Sequence, residues 1–265
     1  MRLPSGEITF VAGVVDGELV SLRTGSGKRA LLDRVVEPSG QRVVPACRYA
    51  QSCGGCDFMH IEAAHQLALH RQIVQALVSH ACCACPEIVT HAPTPTLRYR
   101  SRARFSLSNE RDKLRLGYRA HGSREIVAID DCIVLDEALV AAARETALAL
   151  KGVRGDGELS VAFGARDSER LPVLDLTLAA DPPLSFLGWL STACTPPGPF
   201  AGARVSLGKT TTPLVFGDPR AVQPGHDGLP IFVRAGGFAQ ASDEGAALLS
   251  ERAGALARPD GCSVL

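Results

Sequence analysis

Alternating apolar and polar positions dominate this chain, interrupted by a few stretches of helical period. In residues 7–37, "EITFVAGV", "GELVSLRT" and "RALLDRVVE" read as strands, separated by the turn formers Asp16-Gly17 and Gly25-Ser26-Gly27. In "IEAAHQLALHRQIVQALVSH", Ala64, Leu67, Ile73, Leu77 and Val78 recur at helical spacing, which predicts one amphipathic helix. "HAPTPT", residues 91–96, is a Pro-rich hinge. Beyond it "YRSRARFSL" alternates strictly, with Tyr99, Ala103, Phe105 and Leu107 on one face and Arg100, Arg102 and Arg104 on the other. "KLRLGYRA", "REIVAI", "GELSVAFG" and "LPVLDLTLAA" continue as strands, with "LDEALVAAARETALAL" as a helix among them. "PLSFLGWLSTA" is a further helix. "ARVSLGK" and "LPIFVRA" are later strands, with "GDPRAVQPGHDG" as a linker between them. The last helix is "DEGAALLSERAGALA", and Cys262-Ser263-Val264-Leu265 begins another strand. Strands and helices mixed in this order predict an α+β multidomain protein.

At 265 residues two or three small domains are expected. No apolar stretch follows a basic start and none is long enough to cross a bilayer, which predicts a soluble cytoplasmic chain without membrane partners. The formal net charge is zero, so the chain as a whole is not a polybasic binder. Charge is nevertheless uneven. Arg98, Arg100, Arg102, Arg104, Arg111, Lys113, Arg115, Arg119 and Arg124 face only Glu110 and Asp112 within their segment. Arginines on one strand face, extended by Lys113, Arg115 and Arg119 on the next strand, suit contact with RNA phosphates. Salt bridges to Asp130, Asp131 and Asp136 on a solvated face are the competing explanation. Tyr99, Phe105 and Tyr118 could stack bases, but at alternating spacing aromatics more often belong to the core.

Nine cysteines, an odd number and clustered, do not suit a disulfide framework in a chain of this length. Cys47, Cys53 and Cys56 stand in a C-x5-C-G-G-C arrangement whose glycines let the backbone wrap a compact object. Thiolates of this kind take zinc or an iron–sulfur cluster, and spacing alone leaves the two level. Cys82, Cys83 and Cys85 in "HACCACPE" are nearby competitors for a fourth ligand.

Four segments carry a family resemblance: "CRYAQSCGGCDFMHI" followed by a Gln-Leu-x-Leu helix, "LRYRSRARFSL", "KLRLGYRAHGSREIVAIDDCIVL", and Phe238-Ala239-Gln240 before the last helix. With these the chain resembles the TRAM-containing iron–sulfur RNA (uracil-5-)-methyltransferases that make 5-methyluridine in 23S rRNA. The resemblance implies a [4Fe–4S] cluster on Cys47, Cys53, Cys56 and Cys132, with Cys82, Cys83 and Cys85 as bystanders. It implies a partial OB-like TRAM barrel over 1–45, a cluster loop and RNA-binding central α+β domain over 46–228, and the start of a Rossmann-like S-adenosylmethionine-dependent domain over 229–265. It places Gln240 at the S-adenosylmethionine pocket and Phe238 beside a flipped uracil. Ser242 stands where the family commonly has Asn. The resemblance further implies a monomer truncated at both ends, with the nucleophile and base beyond Leu265, so that this chain alone is expected to be inactive. The alternative is a non-catalytic RNA-binding module with a structural metal site of four cysteines.

Overall fold

The computed structural model describes residues 6–23, 30–81, 87–92, 95–110, 113–208, 212–225 and 228–257. Cys82, Cys83, Cys85, Arg111, Asp112 and the 262–265 stretch lie outside them. The chain divides into two compact units, Met1–Ala92 and Pro93–Leu265, at the Pro-rich hinge.

In the first unit β1 (Leu19–Arg23) and β2 (Leu31–Glu37) form an antiparallel pair. "EITFVAGV" contributes only isolated bridge residues at Ile8 and Phe10. The cysteine loop follows, and then α1 (Ala63–Ala81). An Arg42–Ile61 bridge, the Val43 N–H on the His60 carbonyl (3.0 Å) and the Glu62 N–H on the Gln41 carbonyl (2.9 Å) close the loop at its base. Arg42 also pairs with the Glu18 carboxylate through Nε and through Nη2 at 2.7 Å, and Nη2 donates to the Gly13 carbonyl at 2.7 Å. These contacts tie the base of the cysteine loop to the small β element.

The second unit is built on a seven-stranded sheet in the order β5-β4-β3-β6-β7-β8-β9. Its strands are β3 (Arg102–Glu110), β4 (Lys113–Arg119), β5 (Ile126–Ala128), β6 (Gly155–Arg166), β7 (Glu169–Leu178), β8 (Gly202–Leu207) and β9 (Leu214–Gly217). All neighbours are antiparallel except β7 and β8, which run parallel and are joined through α3 (Leu184–Cys194). A parallel pair needs such a crossover.

The register sorts the residues by face. Phe105 lies opposite Leu159, Leu159 opposite Leu176, and Leu176 opposite Val205, all buried. Leu107, Val161 and Leu174 belong to the same layer. α2 (Glu137–Ala149) and α3 supply Leu139, Val140, Phe186 and Leu190 to this core. Burial of each large side chain contributes about 1.5–3 kcal/mol, so this face carries most of the unit's stability. Asp136 caps α2, accepting the Ala138 N–H at 2.9 Å. Trp189 stacks on Phe186 and meets Phe200 edge-on, each at 5.7 Å between ring centroids. Phe105 and Tyr118 stack at 5.0 Å, which places these two of the aromatics considered for base stacking against each other.

The opposite face is partly covered by the antiparallel hairpin of β10 (Arg220–Pro224) and β11 (Pro230–Arg234). Ala221 and Ala235 join a small buried cluster with Ala162, Val173 and Ala201. β10 falls inside the stretch read from sequence as a linker. α4 (Asp243–Ala257) follows; Ser242 Oγ accepts the Gly245 N–H at 3.0 Å, and Asp243 and Glu244 sit in the first turn. Among the described residues no helix is long and apolar enough to cross a membrane.

Candidate functional site

Strand register places the basic residues together. Arg102 lies opposite Ala162 and Arg104 opposite Ser160. Ser106 lies opposite Gly117 and Ser108 opposite Arg115 on the next strand. Residues of one parity share a face, so Arg102, Arg104, Ser106, Ser108, Arg115 and Arg119 are all on the side away from α2 and α3. The side chain of Lys113 lies outside those the structure describes. Arg204 joins the basic face, paired in register with Asp175, which is itself opposite Ser160. The alternation read from sequence therefore fixes the side correctly. What each arginine does there differs.

Under the hairpin the guanidiniums each hold an internal acceptor, although Arg102 Nη1 is buried without a hydrogen-bond partner. Arg102 Nη2 donates to the Ala235 carbonyl at 3.1 Å and Arg104 Nη2 to the Gly236 carbonyl at 2.6 Å. Asp175, 4% exposed, receives Arg234 through Nε and Arg204 Nη1 at 3.2 Å. Arg204 also donates to Ser206 Oγ at 2.7 Å. Burial pulls the Arg102 guanidinium below its usual value, against the nearby Asp243. Gly236 leaves little room at this crowded point: a Cβ there would lie 3.0 Å from Asp175 Oδ2 and 3.4 Å from Ser160 Oγ, so these side chains would have to shift. Arg100 is different again. Its main chain is bound, N–H to the Val134 carbonyl at 2.8 Å, while its Nε is buried without a hydrogen-bond partner.

This clamp fixes a short segment between β11 and α4. The Gly237 N–H closes a turn on the Arg234 carbonyl at 2.8 Å. At the far end the Ser101 N–H reaches the Ala241 carbonyl at 2.8 Å. Ser101 Oγ donates to Asp243 Oδ1 at 2.7 Å, and Arg170 Nη2 to Asp243 Oδ2 at 2.6 Å. Between these anchors Phe238 is 90% exposed and Gln240 is exposed beside it. An aromatic ring held out of the core on a segment pinned at both ends is available to a flat partner. Ser242, where the family resemblance led to an expectation of Asn, has a local task as the cap of α4.

At the other end of the same face lies an open groove of about 920 Å³, with Ser106 and Ser108 in its lining and Arg115, Arg119 and Arg124 around it. A Cβ at Gly117 would meet the Val127 carbonyl oxygen at 1.8 Å, so glycine there lets β5 close on β4.

Two sites for cysteine chemistry must be kept apart. In the first unit Cys47, Cys53 and Cys56 are half-buried and outside any disulfide. Turns hold the loop, with the Ala50 N–H on the Cys47 carbonyl (3.1 Å) and the Cys53 N–H on the Tyr49 carbonyl (2.8 Å). The Gly55 N–H points at Cys53 Sγ, 3.4 Å away. Gln66 of α1 donates to the Phe58 and Ile61 carbonyls at 3.1 and 2.8 Å, fixing the helix to the end of the loop. In the second unit Cys132 is buried. Its loop is gripped by Arg98, whose Nη1 donates to Asp131 Oδ1 (2.9 Å) and to the Cys132 and Leu135 carbonyls (2.8 and 3.2 Å). Arg98 takes a left-handed φ of 55° to do so and holds the Asp131 carboxyl below its usual range. Of the acids considered from sequence, Asp131 is paired with Arg98 and Asp136 caps α2.

The donor set is right in kind for a soft metal or cluster: thiolate-capable cysteines, with a backbone N–H aimed at one sulfur. Among the described residues, however, no three His, Cys, Asp or Glu side chains converge to hold a metal ion. Cys194, on α3, is buried, and burial pushes its thiol up to about 11, which makes it inert rather than nucleophilic.

Sequence reasoning missed the clamp, because the carbonyl partners of Arg102 and Arg104 lie 133 and 132 positions away along the chain. It also left Arg124 out of the candidate contacts, although Arg124 stands in the same basic run.

No protein-family model matches the chain. It is similar to the 23S rRNA (uracil(1939)-C(5))-methyltransferase RlmD of Marinomonas sp. (strain MWYL1), 36% identical over 134 residues, 49% of this chain and 30% of that protein. It is similar to the RlmD of Shewanella amazonensis (strain ATCC BAA-1098 / SB2B), 33% identical over 183 residues, 66% of this chain and 39% of that protein. The chain thus spans well under half the length of these curated relatives. Its fold is similar to the crystal structure of Pyrococcus abyssi tRNA (uracil-54, C5)-methyltransferase in complex with S-adenosyl-L-homocysteine, with a TM-score of 0.65 and 16% identity. The similarity covers 93% of this chain and 60% of that one.

Proposed function

We propose that this chain is part of an S-adenosylmethionine-dependent RNA methyltransferase acting on uridine C5, probed most directly with 23S rRNA. The observation that carries the reading is the 36% identity to an RlmD enzyme over 134 residues. The fold shared with a tRNA uracil-C5 methyltransferase supports it. In this reading the first unit's β element belongs to a TRAM barrel. The chain's own contribution is to bind RNA on the basic sheet face and to present Phe238 and Gln240. Phe238, exposed on its pinned segment, stacks on an extruded uracil, and Gln240 faces the cofactor. S-adenosylmethionine supplies the methyl group. The described cysteines are not assigned the attack on uracil C6, since Cys194 holds its proton and Cys132 is buried.

Cys47, Cys53, Cys56 and Cys132 are assigned as ligands of a [4Fe–4S] cluster, with a structural role. Protein purified without oxygen is expected to be brown, with broad visible absorption, and Cys132→Ser is expected to abolish the colour. A colourless protein with stoichiometric zinc would replace the cluster by a structural zinc site.

The methylation reading is tested with labelled S-adenosylmethionine and an rRNA transcript, comparing this chain with a version extended to the full length of its relatives. Incorporation into uridine by the longer protein, reduced strongly by Phe238→Ala, is the expected result. No incorporation by either protein would leave an RNA-binding module.

A further inference from the structure

We propose that the groove between β3, β4 and the β4–β5 connection is the seat of the RNA sugar-phosphate backbone, held by Arg115, Arg119 and Arg124, and that Arg102 and Arg104 are not phosphate ligands. This rests on the reading of the chain as an RNA-binding protein and says where on it the strand lies.

Three observations converge. The first is occupancy. Among the described residues the side chains of Arg115, Arg119 and Arg124 form no ion pair or hydrogen bond within the chain, whereas Arg102 and Arg104 each hold a main-chain carbonyl of the 235–236 turn. An arginine kept on a groove wall without an internal partner is free to take an external anion, and its planar fork suits a phosphate. The second is lining. Small-molecule pockets are mostly apolar and aromatic. Here, at about 920 Å³, the lining among the described residues is serine, arginine and carboxylate, with only Leu107 and Ile126 as large apolar members and no aromatic ring. Without an aromatic platform among these residues the groove fits the backbone of a strand better than its bases. The third is extent. Arg115 and Arg119 share one face four residues apart on a strand, roughly 13 Å. Arg124 adds a third point from the connection to β5. Three cations spread in this way suit a polyanion better than one small ion.

Glu125 and Asp156 also line the groove. Against DNA they would only repel. Against RNA they can accept from ribose 2′-hydroxyls, which are donors as well as acceptors. The Ser106 and Ser108 hydroxyls offer further polar contact. The occupant the groove fits is therefore single-stranded RNA.

The test uses the full chain and a fluorescein-labelled single-stranded RNA oligonucleotide, with anisotropy titrations across a salt series. Arg115→Gln, Arg119→Gln and Arg124→Gln combined are expected to weaken binding at least about tenfold and to flatten the log–log salt slope by about two, at roughly 0.7 for each phosphate no longer neutralised. The melting curve is expected to stay unchanged, since these side chains hold nothing in place. Binding by the parent chain with an unaltered slope in the triple variant would overturn the groove assignment while leaving the RNA reading intact. No RNA binding by the parent chain would remove the RNA reading itself, and capture of poly-glutamate in its place would mark the groove as a site for acidic protein. Equal affinity for the DNA oligonucleotide of the same sequence would sink the 2′-hydroxyl assignment.

Discussion

At the hairpin-covered end of the basic sheet face, Arg102, Arg104, Arg204 and Arg234 each donate to a main-chain carbonyl or to Asp175. At the open end, Arg115, Arg119 and Arg124 surround a groove and have no partner among the described residues. Residue type is the same, and Arg102, Arg104, Arg115 and Arg119 share one face of the sheet. The difference is that β10, β11 and the turn after them fold over one end and not the other, so equal sequence signals become scaffold at one end and free surface at the other. Arginine alternation tells which side of a sheet is basic; only long-range pairing tells whether that charge is available.

The largest effect separating the two ends is expected in stability. Arg204→Met with Arg234→Met would strand the Asp175 carboxylate, 4% exposed, without a cation. That should cost about 3–5 kcal/mol in urea denaturation, and adding Asp175→Asn should recover much of it. The same pair of changes at Arg115 and Arg119 should cost nothing comparable. If both pairs proved equally costly, the division into engaged and free arginines would be wrong.

The first unit offers an acid-sensitive version of the engaged kind. Glu18, with its side chain 1% exposed, is held by Arg42, whose hydrogen bond lowers its pKa to about 2. A depressed carboxylate contributes stability that is present above its unfolded value and lost as pH falls toward the folded one. The loss is therefore expected between about pH 4.5 and pH 2 and amounts to something on the order of 3 kcal/mol. Glu18→Gln should remove this acid limb from the pH profile of the unit containing the cysteine loop, and a limb that persists would assign the acid sensitivity elsewhere.

Arg104→Gln is the finer probe. It removes one charge-assisted hydrogen bond to the Gly236 carbonyl, about 1–2 kcal/mol. Faster amide exchange is expected at 235–240, with the salt slope for RNA little changed. A large drop in that slope would return Arg104 to phosphate contact.

Local pattern carried much of the fold into view. The alternation over 99–107 placed Phe105 and Leu107 in the core and the arginines opposite, as their burial and register show. The helical periods around Leu139 and Phe186 appear as α2 and α3, and α4 covers the stretch read as the last helix. Where the reading fell short, the missing information was tertiary. β10 looks like a linker because Arg220–Pro224 holds a proline and one buried residue, and its strand character comes from pairing with β11. "EITFVAGV" has strand composition but pairs only through isolated bridges. The grip of Arg98 on the Cys132 loop was not legible, since nothing in the sequence marks a left-handed arginine.

Trp189 is the chain's single tryptophan, and it sits in the Phe186–Phe200 stack on the helix-covered side of the sheet. Intrinsic fluorescence excited at the indole band therefore watches one layer of the second unit and is blind to the groove across the sheet. RNA seated in the groove does not touch that ring, and melting of the RNA-free protein followed through it reports the integrity of this layer of the scaffold. The protein thus carries an internal optical control: a variant that no longer binds its ligand but keeps its indole spectrum has kept this layer of the second unit.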